Sequence, residues 1–117
     1  MHGKGEGLGA SESIYESFLR GRRFFELGDY RGAARILASV AEVEPTNRTL
    51  LELLGRAYFH SAQLRRAEQT FRRLVELDPV DAWAHVALAR ALERQGRADE
   101  AGPHRRLHAA MSGGSLD

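Results

Sequence analysis

Residues 48–81 read RTLLELLGRAYFHSAQLRRAEQTFRRLVELDPVD, and this stretch of 34 residues decides the fold. The segments before and after it, 14–47 and 82–115, repeat its pattern in register. Small residues recur at two fixed places of each unit, which are Gly21, Gly55 and Ala89, then Ala33, Ala67 and Ala101. A fixed period of this length predicts stacked helical hairpins that bury their apolar faces against one another.

The middle unit resembles the tetratricopeptide repeat, whose pattern sets apolar, Leu-Gly, Tyr, Ala, Phe and Pro residues at defined places. It supplies Leu51, Leu54, Gly55, Tyr58, Ala67, Phe71, Leu74 and Pro79. The first unit departs from the pattern at Ser17 and Arg20, and the third has Arg105 at the Phe place. The resemblance implies an all-α, right-handed solenoid of three helical hairpins, with about six antiparallel helices. It also implies a class of function, which is to bind other proteins or peptides.

The expected domain organisation follows the period. We expect a disordered Gly-rich tail over residues 1–12, a three-repeat domain over 13–112 and a flexible C-terminus over 113–117. The three units are 14–47, 48–81 and 82–115. Ser13 and Glu16 predict a capping box for the first helix, and Asp29 and Tyr30 are assigned to the first turn. Pro103 favours a late start for the last helix, nearer Gly102 than Asp99, but the sequence leaves that start open.

Composition excludes several classes of function. The formal net charge is +1, so no strong overall field attracts nucleic acid or a membrane. The chain has no cysteine and therefore no disulfide, thiolate metal site or catalytic thiol. No apolar run approaches the roughly 20 residues of a membrane span, and we expect a cytoplasmic protein. The sequence shows no catalytic arrangement, so we expect no enzyme, cofactor or metal; His104 and His108, four residues apart, lack a third ligand.

Residues that stack one hairpin on the next differ between the middle and the ends of the chain. The middle unit is apolar on both stacking faces, at Leu50, Leu54 and Ala57 and at Phe71, Leu74 and Val75. The corresponding outward faces at the ends are polar, at Glu16, Arg20 and Arg23 and at His104, Arg105 and His108. Because a solenoid needs polar terminal faces, we interpret the chain as a complete three-repeat protein. We expect it to be largely monomeric at micromolar concentration in analytical ultracentrifugation.

The first helix of each hairpin lines the concave surface in this family, and the resemblance places a binding groove there. Its candidate residues are Tyr15, Phe18, Arg22, Phe25, Arg56, Phe59, His60, Trp83, Arg90 and Arg94. Arg22, Arg56 and Arg90 are spaced by 34, so they should form a ladder across neighbouring helices. Guanidinium groups beside large rings suit an extended or helical partner segment with acidic and apolar residues.

Other interpretations stay open at this point. Each ladder arginine has a glutamate within one helical turn, and such pairs stabilise a helix without any ligand. The domain could then be a structural or assembly module that binds no peptide. Nucleic acid is a less favoured partner, because glutamates dilute the outer arginines. The clamp for C-terminal carboxylates in chaperone-binding relatives is also not expected, since only Arg22 among its five matching positions could serve; the others are Phe18, Leu53, Trp83 and Ala87.

Overall fold

The computed structural model describes residues 12–112, which form six α-helices and no strand. The helices are α1 (Ile14–Glu26), α2 (Tyr30–Val43), α3 (Arg48–His60), α4 (Leu64–Leu77), α5 (Ala82–Arg94) and α6 (Ala98–Met111). Each helix packs on the next along the chain, and α1 also touches α3. This is the all-α helical-hairpin solenoid that the period predicts. Most of the expected tail and all of the expected flexible C-terminus lie outside the described residues.

Short polar side chains begin four of the helices. The Ser13 Oγ accepts from the Glu16 backbone N–H at 3.0 Å and the Glu16 carboxylate accepts from the Ser13 N–H at 3.0 Å, so the predicted capping box is present. At α2, α3 and α5 the side chains of Asp29, Asn47 and Asp81 accept from the backbone N–H three residues later, without the reciprocal bond of a capping box. Because Asp29 is the cap, Tyr30 is the first residue of α2 and does not belong to the turn.

The ends of α1, α3 and α5 share one backbone conformation. Gly28 and Gly96, which follow α1 and α5, have φ angles of +85° and +79°. Ala62, at the equivalent place after α3, also has a positive φ, of +62°. A Cβ in this left-handed region costs roughly 1–2 kcal/mol, whereas glycine adopts it freely. The turn after α3 is therefore strained, although it has the same shape as the other two.

The last helix begins earlier than Pro103 suggests. It starts at Ala98, so Pro103 lies in its second turn and cannot donate the hydrogen bond to the carbonyl four residues earlier. Two contacts hold the first turn in place despite this loss. Ala101 is completely buried, and Arg97 is hydrogen bonded to both Glu68 and Glu100.

The core lies between hairpins, and the middle hairpin contributes to it on both sides. Leu50 and Leu74 are completely buried, and Leu54 and Phe71 are only 4% and 2% exposed. Helices α3 and α4 approach so closely that a Cβ on Gly55 would overlap the Phe71 ring. The central hairpin thus has the two apolar stacking faces that its sequence predicts.

The two end hairpins are polar where they have no neighbour, but the details differ from the expectation. Glu16 and Arg23 are exposed, as the pattern predicts. In α6, however, Arg105 donates to the Glu93 carboxylate of α5 at 2.7 and 2.9 Å. His104 stacks on His85 of α5, with ring centroids 5.2 Å apart. Both side chains therefore pack within their own hairpin, because α5 offers them polar partners.

Glu12 is the one residue of the expected tail that the structure describes. Its carboxylate accepts from the Arg20 guanidinium at 2.6 and 2.9 Å and from the Ser17 hydroxyl at 2.8 Å. Ser17 and Arg20 are the two residues at which the first unit departs from the apolar pattern. They form a polar anchor for the segment that enters α1.

Candidate functional site

The candidate groove residues lie on the face of the solenoid formed by α1, α3 and α5, which we call the inner face. All four arginines are exposed, and the aromatic side chains range from half-buried Phe18, Phe25 and Phe59 to Tyr15, which is 68% exposed. Trp83, which is the only tryptophan of the chain, is 39% exposed. An exposed row of arginines and rings is therefore present on this face.

Arginines and rings interlock between successive hairpins. The Arg56 guanidinium of α3 lies 4.8 Å from the Phe25 ring centroid of α1. One unit later, Arg90 and Arg94 of α5 lie 5.7 and 5.0 Å from the Phe59 ring of α3. Such cation–π contacts are worth about 0.5–1 kcal/mol at exposed sites. A guanidinium held over a ring keeps its N–H edge available for a carboxylate.

The ladder arginine of the first helix differs from the other two. Arg22 lies 6.0 Å from Phe18 on its own helix and pairs with Glu26 at 3.7 Å, which is the expected intrahelical pair. Arg56 and Arg90 have no carboxylate of residues 12–112 within ion-pair distance. Glu93, the expected partner of Arg90, is instead bound by Arg105. Among the described residues, a direct ion pair with a glutamate of its own helix is therefore present at Arg22 and absent at Arg56 and Arg90.

A cavity of about 180 Å³ opens between α3 and α5 at the centre of the inner face. Its walls are Arg56, Phe59, His60, Phe71, Trp83, Val86, Ala87 and Arg90. Trp83 stands edge-on to Phe71, with ring centroids 5.8 Å apart, so its indole is fixed at the cavity wall. Five of the predicted site residues meet here, and apolar surface lies directly beside two free guanidinium groups.

Tyr15 and Phe18 lie apart from that centre. They line a separate cavity of about 420 Å³ at the first-hairpin end of the inner face, together with Ile14, Val40, Glu44, Asn47 and Thr49. Phe25 joins the central group through Arg56 and through an edge contact of 6.0 Å with His60. The structure thus divides the predicted groove into a central subsite and a terminal one.

The surroundings of the central subsite favour the neutral form of His60 and are rich in arginine. Burial, and then the positive charges of Arg56, Arg90 and Arg94, hold the pKa of His60 below its usual value. On the same helix, burial and then Asp81 raise the pKa of Glu52. The balance of charge at the centre is positive, because Arg56 and Arg90 line the cavity and no carboxylate does.

Two side chains of this site escaped the sequence analysis. Tyr30 contacts Phe25 at 5.1 Å and His60 at 4.9 Å between ring centroids, so it belongs to the aromatic cluster. Phe71, predicted as a stacking residue, also forms part of the cavity wall. If Asp29 had been recognised in the sequence as the cap of α2, Tyr30 would have been placed in the first turn of that helix instead of in the preceding turn.

Among residues 12–112, no group of three or more His, Asp or Glu side chains is placed to hold a metal ion. His85 Nε2 faces the Pro79 carbonyl at 2.8 Å, and a carbonyl can only accept, so this nitrogen carries the proton. His85 Nδ1 then accepts from His104 Nδ1–H at 3.0 Å. The ring nitrogens that join the two histidines therefore bind protein atoms and not an ion.

None of the described helices is long and apolar enough to span a bilayer.

Comparison with known proteins assigns the class. Two models of the tetratricopeptide repeat family match the chain, over residues 24–82 and 61–111. The chain belongs to the tetratricopeptide repeat family. Proteins of this family are in general interaction modules rather than enzymes.

Particular relatives are similar over part of their length. The Protein CTR9 homolog of Arabidopsis thaliana is 33% identical over 81 residues, which are 69% of this chain and 7% of that protein. A solved structure of a MamA mutant is 26% identical, with a TM-score of 0.81 over 87% of this chain and 74% of that one. MamA AMB-1 is 26% identical, with a TM-score of 0.84 over 91% of this chain and 58% of that one. The chain thus spans a small fraction of the curated relative and three fifths to three quarters of these MamA chains.

Proposed function

We propose that this protein binds a segment of a partner protein along the inner face, as an adaptor or scaffold. The repeats and the similarity to MamA support an interaction module in general. The observation that carries the finer proposal is the interlocking of Arg56 with Phe25 and of Arg90 with Phe59 beside an open cavity. These guanidinium groups are exposed, preorganised by rings and free of carboxylates from the described residues.

The partner segment should combine carboxylates with apolar side chains. Arg56 and Arg90 would hold carboxylates through their N–H edges, because charge-assisted bonds of this type are the stronger ones. The cavity beside Trp83 would take an apolar side chain. Large rings and arginines around a partly desolvated pocket are the composition typical of binding hot spots.

The test uses the double variant Arg56→Glu with Phe59→Ala, which reverses the central charge and removes a cavity wall. We expect it to lose capture of the partner from extract and to lose the Trp83 emission change when the captured segment is titrated. The matched control is Arg73→Glu with Val80→Ala, which makes the same types of change at exposed residues outside the cavity. The control should bind like the wild type.

The same experiment separates this proposal from an assembly module without a peptide ligand. If the inner-face variant and the control bind alike, while both melt like the wild type, the inner face is not the binding site. If circular dichroism shows that the double variant is unfolded, the titration is repeated with Arg56→Gln alone. That change removes the charge and keeps a polar side chain.

A further inference from the structure

A network of ion pairs bridges the second and third hairpins where α4 faces α6. We call such a place between α-helices of successive hairpins a joint, and this one is closed by the network. Glu68 of α4 accepts from Arg97 at 2.7 and 3.2 Å, from Arg72 at 3.0 Å and from Gln95 at 3.0 Å. Arg97 also donates to Glu100 of α6 at 2.8 and 2.9 Å. Two carboxylates therefore neutralise two guanidinium groups between α4 and α6, and Glu68 is only 8% exposed.

The joint between the first and second hairpins lacks this network. A shift by one unit of 34 residues places Ala34 where Glu68 stands and Arg66 where Glu100 stands. Both carboxylates of the closed joint are thus missing from the equivalent joint between α2 and α4. One of them is replaced by a positive charge.

An open groove occupies the place of the missing side chains, and we call it the outer groove. It is a cavity of about 480 Å³ with Ala34 and Ala38 beside Arg31, Arg35 and Arg66. A second cavity of about 280 Å³ continues it, since Ala38, Tyr58 and Arg66 line both. The small alanine side chains leave this space, which Glu68 and its partners fill one unit later.

The groups around the outer groove lack anionic partners. Arg31, Arg35 and Arg66 form no ion pair with any carboxylate in the described part of the chain, and Arg66 donates only to Gln63 at 2.8 Å. Glu42, on the wall of the second cavity, is the carboxylate that lines the groove. Burial raises the pKa of Tyr58, and the charge of Arg66 acts against this rise, so the phenol stays protonated as a donor.

We infer that the outer groove binds a glutamate or aspartate side chain from an acidic segment of a partner protein. The carboxylate would lie between Arg35 and Arg66, which both line the groove. They are not the equivalents of Arg72 and Arg97, whose places one unit earlier are taken by Ala38 and Gln63. The alanine methyl groups and the Tyr58 ring would contact the aliphatic part of that side chain. A protein carboxylate is favoured over a phosphate because the molecule closes its own equivalent joint with carboxylates. This site is separate from the inner face and does not depend on the function proposed for it.

The experiment removes the inner face first. All proteins carry Arg56→Glu and Phe59→Ala, and the probe is a short fluorescent peptide of alternating Glu and Leu, read by anisotropy. The double change Arg35→Glu with Arg66→Glu should weaken binding by about tenfold or more. The matched control Arg73→Glu with Arg106→Glu changes the net charge equally at exposed positions and should leave the affinity unchanged.

A second variant tests the register argument without removing an arginine. Ala34→Glu supplies the missing carboxylate from the chain itself, so it should also weaken peptide binding by about tenfold, because the arginines are then already paired. A peptide with Gln in place of Glu should bind at least about tenfold more weakly to the starting protein.

Two results would overturn the inference. One is equal binding of the Glu and Gln peptides, or equal weakening by the groove and control variants, with all proteins folded by circular dichroism. The other is a single-stranded oligonucleotide of equal charge that competes more strongly than the Glu peptide and loses affinity in the groove variant. That second outcome would assign the groove to phosphate groups.

Discussion

The close approach of α3 and α4 at Gly55 leads to a prediction whose sign depends on Phe71. In the wild type, Gly55→Ala gains about 1 kcal/mol of helix propensity. The new Cβ, however, would overlap two atoms of the Phe71 ring and lie 3.0 Å from a third, and that ring is 2% exposed and cannot move into solvent. Overpacking of this kind costs about 1–3 kcal/mol, and the severity of the overlap places the cost at the upper end. We expect a net loss of about 2 kcal/mol.

Phe71→Val deletes all the ring atoms that the new methyl group would meet. In that background, Gly55→Ala should keep its helix propensity and fill part of the vacated space, so it should stabilise the protein by about 1 kcal/mol. The double-mutant cycle therefore has a coupling free energy of about 3 kcal/mol. Phe71→Val alone should be destabilising, because it leaves a cavity.

Urea denaturation and thermal melting, both followed by circular dichroism at the helical band, measure all four proteins. At about 4–8 °C for each kcal/mol, Gly55→Ala should lower the Tm by roughly 10 °C in the wild type and raise it in the Phe71→Val background. A coupling free energy below about 0.5 kcal/mol would refute the reasoning, because distant or independent sites are additive to that extent.

Three further predictions test the stacking, a strained turn and a half-buried histidine. Leu54→Asp should unfold the chain, since it places an unpaired charge in the interior, whereas Arg20→Asp at the equivalent place of the first hairpin should still melt cooperatively. Ala62→Gly should raise the unfolding free energy by about 1 kcal/mol because it relieves the positive φ angle, and an unchanged urea midpoint would contradict this. Burial and two basic neighbours hold the pKa of His104 below its usual value. The unfolded chain therefore binds that proton more readily, and this part of the stability is complete above about pH 6.5 and declines at lower pH. His104→Gln should flatten the fall of Tm between about pH 7 and pH 5, and an equal fall in both proteins would contradict the assignment.

The period of 34 predicts those features that depend on position within a unit. Leu50, Leu54 and Ala57 share one helix face by their spacing, and that face is buried. The Ser13 capping box is equally local, because it joins residues three apart. The equivalent spacing of Arg22, Arg56 and Arg90 places them on one exposed face, and their role in binding stays a prediction.

The period does not predict which side chains meet between helices. Glu93 is within reach of Arg90 in sequence, but it bonds to Arg105 of another helix. His85 and His104 meet only because α6 packs on α5 in a particular register. The early start of α6 also depends on tertiary contacts, since local chemistry at Pro103 argues against it. Long flexible side chains choose among several partners, and packing decides the choice.

The contacts of Arg56 with Phe25 and of Arg90 with Phe59 have a consequence for how such a protein can diversify. Each contact joins two hairpins, so the atoms proposed to select a ligand also help set the rotation of one hairpin against the next. A substitution at Arg56 would therefore act on the chemistry of the surface and on this contact between hairpins together. A variant with a new preference at this position should therefore need a compensating change at Phe25 to keep the two hairpins in contact there.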